Sequence, residues 1–262
     1  MKYVLRTARF GAFFFITLSL IACQKRSLLD LPSPSGSAAY VTNEYPAVVK
    51  IGLPGGRGLC TGTFISPRAV LTAAHCTPTS GNYTVSTDWG TFMTSQKVVM
   101  GPGVVDDPND IAILIFSTDV ADPEQGQVAA IGGGASPGQV LRLIGFGCNS
   151  FETRRGAGLK RTGTNMVYDV NDYITFLTPR NDSGTRRGII GSDNRAGACF
   201  GDSGGPAAAN REDGALVVLG VAHTGGEADD DYVSDYVSLG RGDNRNFISN
   251  ANNTYNLGIE GV

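Results

Sequence analysis

Apolar residues along this chain come in short runs separated by turn residues, not in the 3.6-residue rhythm of helices. Ala47–Ile51, Leu59–Ile65, Ala69–Thr72, Tyr83–Val85, Gln96–Met100, Val140–Phe146 and Ala215–Val221 read as strands, with Met166–Val170 and Tyr173–Leu177 also β-like. Ile111–Phe116 is apolar at every position, as expected of a strand buried on both faces. Turns such as Pro54-Gly55-Gly56 punctuate the runs, and Gly132–Gly138 is the best boundary between two halves. The 36 glycines are spread along the chain, which favours many turns and short strands over long helices. The pattern predicts an all-β sandwich or barrels, with a short terminal helix opening at Asn246-Phe247-Ile248.

The first forty residues break this pattern. Lys2, Arg6 and Arg9 precede an apolar run from Phe10 to Ala22. As a helix that run reaches roughly 20 Å, short of a ~30 Å hydrocarbon core, so residues 1–22 read as a removed export signal. Leu20-Ile21-Ala22-Cys23 resembles the bacterial lipobox, which makes Cys23 the lipidated first residue of the mature chain. Gln24 in second place is the sorting pattern of an outer-membrane lipoprotein, and several acyl chains would anchor the protein stably. The alternative is an ordinary secreted chain. Residues 23–39, rich in Ser, Pro and Gly, read as a tether. The folded domain is expected over 40–256, with halves at about 40–131 and 139–256.

Net charge is -3, which argues against a nucleic-acid partner and offers no strong electrostatic one. Arg154, Arg155, Lys160 and Arg161 fall in Asn149–Gly163, read as an exposed, solvated basic loop. Five cysteines are an odd number for an exported protein. With Cys23 assigned to lipid, Cys60, Cys76, Cys148 and Cys199 are an even set for an oxidising compartment, and pattern alone leaves their pairing open.

The chemistry centres on Gly201-Asp202-Ser203-Gly204-Gly205-Pro206. Such a sequence suits a tight loop that aims a hydroxyl outward and gathers backbone N–H groups at one spot, as acyl transfer requires. A serine needs a base near neutral pH, and the chain has two histidines, His75 and His223. His75 follows an apolar run in Thr72-Ala73-Ala74-His75-Cys76. A carboxylate to orient that imidazole is available in Asn109-Asp110-Ile111-Ala112.

These three segments, in the order His, Asp, Ser, resemble the trypsin/chymotrypsin family of serine peptidases. The resemblance runs from about Tyr45 to Ile248. It implies two antiparallel six-stranded β-barrels with the active site between them. It makes Ser203 the nucleophile, His75 the general base and acid, and Asp110 the orienting carboxylate. Gly201 and Ser203 would supply the oxyanion N–H groups. It also implies disulfides Cys60–Cys76 and Cys148–Cys199. No metal or organic cofactor is called for, and the expected partners are protein or peptide substrates of a monomeric enzyme.

The sequence departs from the family in places. No Ile-Val-Gly-Gly activation segment precedes Tyr45-Pro46, so Asp202 needs another partner; Arg142 is the candidate, with an amine freed by cleavage between Ser33 and Ala39 as the alternative. The resemblance places Gly197 on the pocket floor, with Gly225 and His223 on its wall. Gly197 supplies no countercharge for a basic side chain. His223 is expected either to hydrogen-bond Asp110 or to meet an acidic substrate side chain. Glu227 and Asp229-Asp230-Asp231 would favour basic side chains if they overhang the pocket; a calcium site there lacks diagnostic spacing. A catalytically inactive binding or adhesion module and an esterase are the rival readings.

Overall fold

The computed structural model describes residues 39–56, 58–104, 106–149, 153–179, 195–228 and 231–262. The expected signal peptide, Cys23, the tether up to Ala38 and the pair Asp229-Asp230 lie outside the described residues. Among the described residues fifteen strands and one α-helix follow in order. They are β1 (Tyr40–Val41), β2 (Val48–Gly52), β3 (Leu59–Ser66), β4 (Ala69–Thr72), β5 (Thr84–Thr87), β6 (Gly90–Met93), β7 (Gln96–Val99) and β8 (Ala112–Ile115). The second half carries β9 (Ala130–Ile131), β10 (Val140–Gly145), β11 (Arg161–Val170), β12 (Tyr173–Pro179), β13 (Pro206–Asn210), β14 (Leu216–Ala228), β15 (Asp231–Ser238) and α1 (Gly242–Tyr255).

The first half is a seven-stranded sheet in the order β6-β5-β2-β3-β4-β8-β7. In the second half β11-β10-β13-β14-β15-β12 closes on itself through β11–β12 pairing, a barrel of six strands. β1 adds to the outside of β11, and β9 runs parallel to β14. The fold is therefore all-β and trypsin-like, with one closed barrel beside a curved sheet. Every residue of β4 and β8 is buried, because both faces are covered; Ile113 and Leu114, fully buried, contribute roughly 1.5–3 kcal/mol each. One apolar core joins Val49, Phe64 and Ile113 of the first half to Ile144, Val218 and Val221 of the second.

The basic segment differs from expectation. Lys160 and Arg161 are buried, and Arg161 opens β11. Each is compensated: Lys160 Nζ reaches Asp88 Oδ2 (2.8 Å) and the Tyr45 carbonyl (3.2 Å), linking the two halves. The helix is longer than expected. It opens at Gly242, with Asp243 in its first turn, and ends at Asn256 in the left-handed conformation. Buried Asn244 donates to the carbonyls of Ser238 (2.8 Å) and Pro108 (3.2 Å), which ties the helix to the loop that delivers Asp110.

Candidate active site

β4 and β8 pair antiparallel with Thr72 opposite Ala112. His75, just beyond β4, and Asp110, just before β8, therefore leave the ladder at the same end. A single 3-10 turn over Ala74–Cys76 rotates the imidazole toward the carboxylate, and the Cys60–Cys76 disulfide fastens that turn to β3. Asp110 is fully buried. Its Oδ1 accepts the His75 backbone N–H at 2.8 Å, and its Oδ2 lies 2.6 Å from His75 Nδ1. The same Oδ2 lies 2.5 Å from Nδ1 of His223, on β14. Burial pushes the Asp110 carboxyl up, but the hydrogen bonds from His223 and His75 together hold it below its ordinary value.

The serine loop is held from three sides. Gly201 has φ of 101°, where a Cβ would strike Leu59, and Gly204 has φ of 82°, where a Cβ would fall 2.1 Å from Thr72 Oγ1. Thr61 of β3 donates its backbone N–H to the Ser203 carbonyl (2.8 Å) and its hydroxyl to the Gly201 carbonyl (2.8 Å). Gly204 and Ala222 tie the loop to β14 through the Gly204 N–H and the Ala222 carbonyl at 2.8 Å. Cys76 Sγ stands 3.6 Å from the Ser203 carbonyl oxygen, so the serine loop abuts the turn that carries His75. Among the described residues no backbone carbonyl takes up the N–H of Gly201 or of Ser203.

Asp202 is entirely buried. Its Oδ1 accepts the Gly147 N–H (2.7 Å) and its Oδ2 the Cys199 N–H (2.8 Å). The cation that acts on it is Arg161, whose Nη1 donates to the carbonyls of Gly147 (3.0 Å), Gly156 (2.7 Å) and Leu159 (3.3 Å). Arg142, the sequence candidate, is turned away: it lies over the Tyr45 ring and donates to Thr162 Oγ1. On β10 its neighbours Leu141 and Leu143 take the barrel interior, and the period of two sends Arg142 out. Cys148 bridges Cys199, so the two peptides that donate to Asp202 are clamped together.

A cavity of roughly 130 Å³ opens beside Ser203, lined by Ala198, Phe200, Ala222, His223, Gly225 and Tyr232 among others. His223 and Gly225 are among these lining residues. Gly197 does not line it; it sits behind, against Thr178, Ser234 and Tyr232. No carboxylate is among the described lining residues. His75, Asp110 and His223 bring three potential metal-ligand atoms within 4.8 Å, but their N···O spacings of 2.5 and 2.6 Å are those of hydrogen bonds, with no room for an ion at about 2 Å from each. Thr61, Arg161 and Tyr173, which stacks on His223 at 5.4 Å, are residues that motif reading missed. For Thr61 the neighbouring Cys60 was the available signal; for the other two there was none.

The fold has counterparts among known proteins. The family model described as Trypsin matches residues 34–239. A protein named "Trypsin" from Saccharopolyspora erythraea is 24% identical over 180 residues, covering 64% of this chain and 78% of its own. Among solved structures, a Glu endopeptidase superposes with a TM-score of 0.59 at 14% identity, covering 84% of this chain and 99% of its own. A scabies mite inactivated protease paralogue gives 0.60 at 15% identity, covering 86% of this chain and 98% of its own. By the extent of that family match, this chain belongs to the trypsin/chymotrypsin family of serine peptidases.

Proposed function

We propose that the protein is a serine endopeptidase, exported and anchored by lipid on Cys23, that cleaves peptide bonds through an acyl-enzyme on Ser203. The observation that carries this reading is the two-point hold of Asp110 on His75, through the ring Nδ1 and the backbone N–H, beside a glycine-bound serine loop. With Nδ1–H bonded to Asp110, His75 keeps Nε2 as the basic atom. In the first step Nε2 takes the Ser203 proton as Oγ bonds to the substrate carbonyl carbon, and the carbonyl oxygen becomes an oxyanion facing the Gly201 and Ser203 N–H groups. His75 then gives that proton to the leaving amine as the C–N bond breaks. Water repeats the sequence on the ester and frees the acid.

A cavity without a carboxylate among its described lining residues does not suit a lysine or arginine side chain; it suits an uncharged one of moderate size. Of the two roles foreseen for His223, the bond to Asp110 is the one its Nδ1 distance supports. Two disulfides fit an oxidising compartment, and among the described residues no helix is long and apolar enough to cross a membrane.

The test is the intact mass of the chain from residue 24 onward after treatment with a fluorophosphonate. One adduct is expected, absent in Ser203→Ala. No adduct would overturn the reading in favour of an unprocessed zymogen or an inactive module on the same fold. Labelling with hydrolysis of esters but of no peptide would leave an esterase. For the anchor, Cys23→Ser should release the protein from the membrane fraction.

A further inference from the structure

Phe200 lines the cavity beside Ser203 and is nevertheless 48% exposed, so its ring forms part of the rim. The guanidinium of Arg154 lies over that ring, 4.2 Å from its centroid. A guanidinium drawn to an aromatic face still has its planar set of N–H donors to offer. Among the described residues no carboxylate and no carbonyl takes up those donors. Arg155, the next residue, is exposed as well, but its side chain lies over no ring among the described residues.

The backbone on either side fixes where this cation stands. Cys148 donates its N–H to the Phe200 carbonyl at 2.9 Å, and Asn149 donates its own to the Arg155 carbonyl at 2.8 Å. Ring and guanidinium are thus carried by chain segments bonded to two consecutive residues. Buried Arg161 holds the Gly156 carbonyl at 2.7 Å, one residue beyond Arg155. Arg154 itself has φ of 51°, in the left-handed region that glycine or asparagine occupies at less cost. Backbone strain of this kind gathers at binding sites. Merely covering the Phe200 ring would be served by the stem of any long side chain. A guanidinium with free donors is the group that fits a carboxylate.

We propose that Arg154, seated on Phe200, is a specificity-determining residue: it binds the carboxylate of an aspartate or glutamate that flanks, within two positions, the substrate residue filling the cavity. The acid stays outside the cavity, because no lysine or arginine is among the described residues that line it. Arg154 stands beyond one wall of it, a ring's distance away. An extended peptide advances about 3.3–3.6 Å per residue, so a neighbouring side chain covers that distance. The ring and the cation then serve one peptide together, Phe200 against the residue in the cavity and Arg154 against the acid beside it. This role rests on the peptidase reading above.

The test uses the chain from residue 24 onward and quenched fluorogenic peptides. Each peptide keeps one uncharged residue for the cavity and carries Ala, Asp or Lys at one of the two positions on either side of it. At one of these positions Asp is expected to raise kcat/KM about fivefold over Ala, the upper end for an exposed ion pair, chiefly through KM. Lys there should lower it. In Arg154→Gln the Asp-to-Ala ratio should fall to within about twofold of one, and in Arg154→Glu the preference should pass to Lys. Arg155→Gln should keep the preference for Asp. The preference should also shrink by about half or more between 0.05 and 0.5 M NaCl, as an exposed pair is screened. No preference for Asp at any position overturns the proposal, as does a preference that Arg154→Gln retains. An equal fall on the Asp and Ala peptides in Arg154→Gln would reduce Arg154 to a cover for Phe200 and overturn it too. A preference that salt leaves unchanged overturns it even if the variants fail to fold. A chain that takes no fluorophosphonate would instead remove the peptidase reading, and this role with it; a chain that is labelled but indifferent to Asp removes this role alone.

Discussion

Removing the Cys148–Cys199 bridge should disable the serine loop as well as destabilise the chain. The bridge spans 51 residues, and the chain-entropy relation gives about 4 kcal/mol for a loop of that length. Cys60–Cys76 spans 16 residues and gives about 3 kcal/mol. The longer bridge has a second consequence. Cys199 itself and Gly147, next to Cys148, are the N–H donors to buried Asp202, at 2.8 and 2.7 Å. Asp202 in turn precedes Ser203, and its carbonyl accepts the Gly205 N–H at 2.8 Å. If the two walls part, one hydrogen bond to the buried Asp202 carboxyl is lost, about 0.5–1.5 kcal/mol, and with it the restraint on Gly201 and Ser203. A Cys148→Ala/Cys199→Ala chain should thus lose about 4 kcal/mol or more in urea unfolding at pH 7. The rate of fluorophosphonate labelling of its folded fraction should fall by about tenfold or more. A loss below about 1 kcal/mol, or unchanged labelling, would refute the claim that this bridge clamps the Asp202 donors.

Two further outcomes concern the same buried carboxylate. Burial pushes the Asp202 carboxyl up to about 7, against the pull of the Cys199 and Gly147 N–H groups and of Arg161. Between about pH 4 and 7 the folded chain holds a proton that the unfolded chain has released, so this group's contribution is full below about pH 4 and is lost as pH rises through 7, about 4 kcal/mol in all. Urea midpoints from pH 4 to 8 should fall along that window and flatten in Asp202→Asn; parallel curves for the two chains would contradict it. Arg161→Met leaves three carbonyls without their donor and removes the nearby positive charge that favours the Asp202 carboxylate, and should cost about 3 kcal/mol or more. Arg142→Ala, which removes only a ring contact and a 3.4 Å bond to Thr162, should stay within about 1 kcal/mol of the unmodified protein, and equal losses for the two arginines would show that the wrong one had been assigned.

What the chain encodes locally was legible without coordinates. The strand Ala112–Ile115 announces itself because burial on both faces demands an unbroken apolar run. The loop Gly201–Pro206 does so because its left-handed backbone positions accept glycine at little cost. The strand Asp231–Ser238 was hidden: three aspartates precede its alternation of Tyr, Val and Ser, and they read as an acidic loop. Arg161 was hidden in a similar way, inside a basic stretch whose average character suits solvent.

The sequence by itself determined the strand-rich character and supplied the His, Asp and Ser segments, since each depends on contiguous residues or on a period of two. Tertiary structure alone decided which arginine serves Asp202 and where His223 points. Both are set by which side of a strand a residue occupies and by what lies across a barrel many residues away. One bulge between Ala222 and Thr224 is enough to turn an imidazole onto Asp110, 113 positions earlier in the chain. A one-residue slip in register reverses the side that a strand residue faces, and no local propensity encodes it.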